Sequence, residues 1–221
     1  MHNADLIVIG AGPAGMSAAR RAAALGLSVL ILDEQPAAGG QIYRNVDRAS
    51  AARNDILGKD YTHGRTLTEG LHHENITHLM GAVVWQIEDG TRVAFTQNGK
   101  GALAVGQRIL LATGALERPM PLPGWTLPGV MTAGAAQILL KQSGIACQGA
   151  VLDGSGPLLY LIATQMVRAG VPPLALVETQ TTGDLTKSMR HLGGVLRGWP
   201  YLVKGLRMLW DLRRAGIPRH V

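Results

Sequence analysis

A chain of 221 residues with 47% hydrophobic content can build one large core or two small ones, and no apolar run in it approaches the roughly twenty residues of a membrane span. Its single cysteine, Cys147, excludes a disulfide framework and a cysteine-rich metal site. The net charge of +6 invites a nucleic-acid reading, but no basic run is interleaved with aromatics early in the chain and no nucleic-acid motif is present.

The N-terminus enters an apolar run almost at once, with no basic lead and no cleavage site. No signal peptide is expected, and the cytoplasm is the default location. Residues 5–9 read as a buried strand, Gly10-Ala11-Gly12-Pro13-Ala14-Gly15 as a glycine turn, 13–25 as a helix, and 27–33 as a second buried strand ending in an acid. Together they form a device for holding a dinucleotide. Gly10 permits a tight turn, Gly12 lets the backbone approach a pyrophosphate, and Gly15 lets the helix pack closely on the strand. The helix N-terminus presents free N–H groups and a dipole that favours negative charge. Pro13 suits the first turn, where its missing N–H has no partner to lose. Asp33, about 20 residues on, stands where a carboxylate accepts from ribose hydroxyls. With Pro13 and Ala14 beside the glycines and Glu34 beside Asp33, these residues make the first candidate binding set. A ligand that carries phosphates also accounts for the positive charge.

Gly39 and Gly40 permit a second close backbone approach, and Gln41 and Arg44 are candidate contacts to the same ligand, Arg44 to its phosphates. Residues 45–61 are polar and alanine-rich, a helix or an irregular excursion, and 67–73 reads as helical. His63, His72, His73 and His78 are scattered. Adjacent His72 and His73 point apart on a helix and no cysteine lies near, so the four read as solvated side chains and no metal site is expected. From Ile76 short strands follow: 81–87, 92–96 and 102–105, joined by the turn signals Asp89-Gly90 and Gln97-Asn98-Gly99. This antiparallel meander leads into a buried strand that starts at Gln107 and ends in Ala112-Thr113-Gly114. Pro119, Pro121, Pro123 and Pro128 rule out regular structure and mark a stiff crossing between domains. Residues 132–142 read as a helix.

A second unit begins at Ala150. Gly154-Ser155-Gly156-Pro157-Leu158-Leu159 joins a strand to a helix that runs to about Ala169, with Leu159 in place of the third glycine. A strand at 174–178 ends in Glu178, the second candidate ribose acid. A carboxylate there disfavours a 2′-phosphate, so NAD is preferred over NADP if either binds. Two readings stand: a nicotinamide dinucleotide site, or a scaffold of the same fold whose site is empty or reused. Residues 199–214 set Leu202, Leu206, Leu209 and Leu212 among Lys204, Arg207, Arg213 and Arg214. That is a basic amphipathic helix, packed on its own sheet or offered to a partner subunit. Residues 217–221 begin a further strand.

The expected fold class is α/β: two tandem Rossmann-like dinucleotide-binding units, a small antiparallel meander inserted in the first, the second incomplete. The expected domains are 1–118, a crossing and helix over 119–146, and 147–221.

Two such units, a meander and an Ala-Thr-Gly strand before the second unit resemble the two-dinucleotide-binding flavoproteins, the FAD/NAD(P)-dependent pyridine nucleotide oxidoreductases, over essentially the whole chain. The resemblance implies that Gly10, Gly12, Gly15 and Asp33 bind FAD. It also implies that Gly40 and Gln41 lie along its phosphate and ring side, that Val83 touches the adenine through its backbone, and that Thr113 and Gly114 approach the same cofactor. Gly154, Gly156 and Glu178 would serve NAD. Residues 33–36, 39–44, 112–119, 123–125, 127–130 and 154–159 are similar to the A, or alpha, subunits of opine oxidases, hydroxyproline and proline dehydrogenases, sarcosine oxidase and hydrogen cyanide synthase. That implies an FAD-dependent oxidoreductase subunit handling electrons from an amino acid-derived amine, with the amine itself generally oxidised on a catalytic partner subunit. Two departures stand out. The redox cysteine pair of the family's disulfide reductases is absent, so dithiol chemistry is excluded and Cys147 reads as a small buried apolar residue. The family's closing segment, a strand ending in Gly-Asp, and the cysteine cluster of some relatives have no match, so the chain looks C-terminally truncated. The alternatives are therefore an inactive fragment and a non-catalytic nucleotide-binding partner subunit. No acid or base stands out, and no catalytic residue is named.

Overall fold

The computed structural model describes residues 1–180, 194 and 197–220. The chain divides into two compact units, Met1–Arg118 and Pro119–Val221. In the first, β1 (His2–Ile9), α1 (Pro13–Ala24) and β2 (Val29–Asp33) are followed by a 3-10 turn (Val46–Arg48). Three short helices come next: α2 (Ala51–Leu57), α3 (Lys59–Thr62) and α4 (Arg65–Glu69). The strands β3 (Ile76–Met80), β4 (Ala82–Glu88), β5 (Arg92–Gln97) and β6 (Lys100–Leu111) complete the unit. One six-stranded sheet has the order β3-β2-β1-β6-β5-β4. β1 runs parallel to both β2 and β6, and β2 runs parallel to β3.

The unbroken apolar runs of β1 and β2 follow from burial on both faces. Alternate residues Val8, Val29 and Ile31 pack under α1 against Met16, Ala19, Ala22 and Ala23. Their neighbours Ile7, Ile9, Leu30 and Leu32 pack on the opposite face against Ala82, Val93, Phe95 and Ala104. The meander is thus the second cover of the parallel core. Its hairpins turn at Asp89-Gly90 and Asn98-Gly99, all four at positive φ (50°, 67°, 51° and 75°), the turn hand that matches strand twist.

One expectation is corrected here. The stretches 102–105 and 107–111 belong to a single twelve-residue strand, β6, whose first half pairs with β5 while residues from Ala104 onward pair with β1; Leu110 and Leu111, expected to be buried, are exposed. Gly106 is a packing position, not a break. Its N–H donates to Thr91 O (2.8 Å), and a Cβ there would stand 2.8 Å from Ile7 Cγ1. The helix expected at 67–73 is α4, two residues earlier in its start and ended by Gly70.

In the second unit α5 (Ala133–Ser143) is capped by Thr132, whose Oγ1 accepts from Ala135 N–H, and ends at Gly144 in the left-handed region. Residues 112–132, with their four prolines, carry neither helix nor strand. Next come β7 (Val151–Gly154), α6 (Pro157–Arg168), β8 (Ala175–Glu178), α7 (Trp199–Arg214) and β9 (Arg219–His220). The parallel order β7-β8-β9 repeats that of β1-β2-β3. Leu159, Ala163, Leu176 and Leu212 form its core. The expected leucine stripe of α7 is corrected as well. Met208 and Leu212 face inward, whereas Leu202 and Leu206 are exposed with Trp199 and Trp210. At 100° per residue the latter four share the opposite side of the helix. No helix among the described residues is long and apolar enough to cross a membrane.

Phe95 is fully buried at the centre of the meander's contact with the parallel strands. Phe95→Ala is expected to lower stability by about 3–5 kcal/mol in urea unfolding followed by circular dichroism.

Candidate dinucleotide sites

At the C-terminal edge of β1 the chain makes a turn that only glycine allows. Gly10 sits at φ 104°, and a Cβ on it would strike the carbonyl oxygen of Ala112; a Cβ on Gly15 would strike the carbonyl oxygen of Gly10. β6 reaches this point because Ala112 N–H donates to Ile9 O (2.8 Å), which brings exposed Thr113 and Gly114 beside the turn. Gly12 caps α1 with extended backbone and Pro13 opens the helix. The N–H groups of Ala14 and Gly15 therefore lie in the first turn, where no intrahelical acceptor exists.

A second glycine turn rests on the first. Gly39 N–H donates to Ala11 O (2.9 Å), and a Cβ on Gly40, at φ 58°, would stand 2.9 Å from Gly12 Cα. The contact there is chiefly backbone on backbone, with Pro13 Cδ as the nearest side-chain atom to Gly40. This fits a pyrophosphate. Arg44 stands at its rim, with Nη1 donating to Gln35 Oε1 (2.8 Å) and Nη2 reaching Gln41 Oε1 (3.5 Å). Its carbonyl accepts from the Tyr61 hydroxyl (2.7 Å), a phenol that burial pushes up to about 12. Its Nε is buried without a partner among the described residues.

Asp33 is 6% exposed at the end of β2. Its Oδ2 accepts from Ala11 N–H and its Oδ1 from Gln35 N–H (2.7 Å). Each carboxylate oxygen can take two donors, so room for ribose hydroxyls remains. Glu34, beside it, is exposed and accepts from the Gln35 side chain (3.0 Å). Gly81 N–H donates to Gln35 O (3.1 Å), which ties the turn before β4 to this loop and carries half-exposed Val83 to the same side. His78 corrects the reading of solvated histidines. It is half-buried on β3, its Nε2 lacks a partner among the described residues, and burial pushes its pKa down against the pull of Asp33.

The second unit repeats the plan with other materials. Gly156 caps α6 at φ 85°, where Gly12 has φ −73°. Leu159, at the third glycine position, is buried against Leu176, so α6 rests on a side chain instead of on a peptide. Glu178 is at the expected place, 8% exposed, but it is not a free acid. Its Oε1 accepts from Arg219 Nε (2.6 Å) and its Oε2 from the Tyr160 hydroxyl (2.9 Å), while the guanidinium lies 5.7 Å from the Tyr160 ring centre. The Arg219 bond holds the Glu178 carboxyl below the usual range; Glu178 in turn raises Arg219, and burial raises the Tyr160 phenol. Sequence reasoning does not single out Tyr160 or Arg219. The internal repeat carried the signal, since Arg219 pairs with Leu176 as His78 pairs with Ile31, each two residues before the acid. Cys147, expected to be buried, is half-buried with Sγ 3.9 Å from Met131 Sδ.

A parallel α/β unit with a glycine turn, a helix and an acid at one sheet edge is a dinucleotide-binding fold. The model of the pyridine nucleotide-disulphide oxidoreductase family matches residues 4–158, and the chain belongs to that family, whose dinucleotides are FAD and NAD(P). It is 47% identical over 219 residues to the A-type subunit of opine oxidase from Agrobacterium tumefaciens, covering 95% of this chain and 43% of that protein. It is 33% identical over 222 residues to hydrogen cyanide synthase subunit HcnB of Pseudomonas aeruginosa, covering 97% and 46%. The chain thus spans less than half the length of these curated relatives. The solved L-proline dehydrogenase of P. horikoshii matches with a TM-score of 0.63 at 20% identity over 80% of this chain and 35% of that one, a likeness of fold.

Gly15→Ala forces two backbones apart, and is expected to destabilise the first unit by about 3 kcal/mol or more in urea unfolding. The depressed pKa of Glu178 gives a pH signature. Its bond to Arg219 stabilises the fold above the ordinary glutamate pKa of about 4.3, and that contribution fades as pH falls through this value toward the lower folded one. In unfolding titrations from pH 7 to pH 3, wild type should lose its margin over Arg219→Met in that window.

Proposed function

We propose that this chain is the FAD-binding, electron-handling subunit of an oxidoreductase that acts on an amino acid-derived amine of the opine, hydroxyproline or proline, sarcosine or glycine kind. The observation that carries the reading is the bare backbone surface of Gly12 and Gly40 beside α1, with Asp33 close by and still able to accept. In this reading residues 1–118 hold FAD, 119–146 form a crossing and 147–221 form the NAD-type unit. Gly10, Gly12, Pro13, Ala14 and Gly15 receive the pyrophosphate at the helix N-terminus, where the dipole and unpaired N–H groups favour it. Asp33 accepts from a ribose, Glu34 borders it, and Val83 meets the adenine through its main chain. Gly40, Gln41 and Arg44 line the phosphate side, Arg44 with a fixed positive charge. Thr113 and Gly114 complete the edge.

The bound flavin would supply reversible hydride and electron acceptance. The residues of this chain bind and orient; none at the cradle is placed as an acid or base toward an amine. The amine step is therefore assigned to a catalytic partner subunit. Support comes from the relatives, which are themselves named as subunits of opine oxidase and hydrogen cyanide synthase.

Flavin uptake by the purified chain tests the reading. Wild type should retain FAD, or take it up on addition. Asp33→Asn should weaken FAD binding about tenfold, or ~1.4 kcal/mol, and Gly40→Val should abolish it. Amine-dependent bleaching should appear only once a partner subunit is added. A colourless protein that takes up no added FAD would overturn the proposal.

A further inference from the structure

The two units carry an acid at the same place and treat it differently. In the first, Asp33 is met by two main-chain N–H groups and faces His78, which burial drives toward its neutral form. Among the described residues no arginine or lysine pairs with it. In the second, the strand register sets Arg219 where His78 stands. Arginine cannot shed its proton to escape a desolvated site, and its fork pairs tightly with carboxylates. Arg219 Nε lies 2.6 Å from Glu178 Oε1, and the Tyr160 hydroxyl holds the other oxygen at 2.9 Å. The Glu178 side chain is 6% exposed and that of Arg219 41%, so the acid is the shielded partner of the pair.

A ribose diol binds at such an edge by donating both hydroxyls to an anionic acceptor. A carboxylate already in a short charge-assisted bond is a weakened acceptor, and withdrawing Arg219 from it breaks a strong pair. We propose that Arg219, acting through Glu178, closes the ribose position of the second unit to NAD. Arg219 is a specificity-determining residue that touches the acid and not the ligand, and Tyr160 braces it. The inference rests on the second unit being a dinucleotide fold; it is independent of FAD in the first unit and of the amine.

NADH titrated into the full chain, followed by its fluorescence, decides the matter, with flavin content and the thermal midpoint recorded in parallel. Wild type should show no saturable binding into the millimolar range. Arg219→Met should bind NADH at least tenfold more tightly, and adding Glu178→Gln should erase that gain, a loss that merely loosened packing would not produce. Arg219→Gln serves the same purpose should the methionine variant fail to fold. Tyr160→Phe, which leaves the ion pair in place, should behave as wild type. Micromolar NADH binding by wild type, a folded Arg219 variant with no gain, or a gain that survives Glu178→Gln would each overturn the proposal. Unchanged flavin content keeps any of these outcomes separate from a failure of FAD binding.

Discussion

Peptide against peptide is the contact on which the first unit depends. Gly15 passes over the carbonyl of Gly10, Gly10 abuts Ala112, and Gly40 lies on Gly12, with no room for a Cβ at Gly10, Gly15 or Gly40. The close approach sets the depth of α1 on β1 and so the position of the helix N-terminus. It also leaves a surface that only a ligand's own atoms can fill. The rest of the unit supports that contact. The alternating rows of β1 and β2 clamp the turn between α1 on one side and the meander on the other.

The second unit shows what happens when the contact is relaxed. Leu159 stands where the first unit has Gly15, and the turn adopts a different backbone at Gly156. The helix then packs through side chains, as most helices do. The site edge is organised by charge in its place, through Glu178, Arg219 and Tyr160. Two units of one topology thus use two physical devices: a backbone cradle whose acid is met by main-chain N–H groups, and an acid held by an ion pair. The difference is one of electrostatics and packing, not of fold.

Much of this is legible in the residues. The glycine spacing, the apolar runs ending in Asp33 and Glu178, the proline-rich crossing and the Asp-Gly and Asn-Gly hairpins all act through local backbone preference or simple periodicity. Such signals survive in a linear text. Two of the misreadings have a common cause. Gly106 reads as a break because glycine usually is one, yet here it is small because Ile7 of another strand lies over it. Leu202, Leu206 and Leu212 read as one stripe of α7, yet Leu212 packs inward beside Met208 while Leu202 and Leu206 are exposed.

By itself the sequence determined the element order, the two glycine turns, their acids and the family, because each rests on residue types at short fixed spacing. The tertiary structure alone decided which neighbours those acids have. Arg219 reaches Glu178 from 41 residues away, and His78 faces Asp33 from the next strand, because parallel register brings distant positions together. Whether an acid remains an acceptor depends on the charge beside it, and that charge comes from strand pairing across the sheet and not from the local chain.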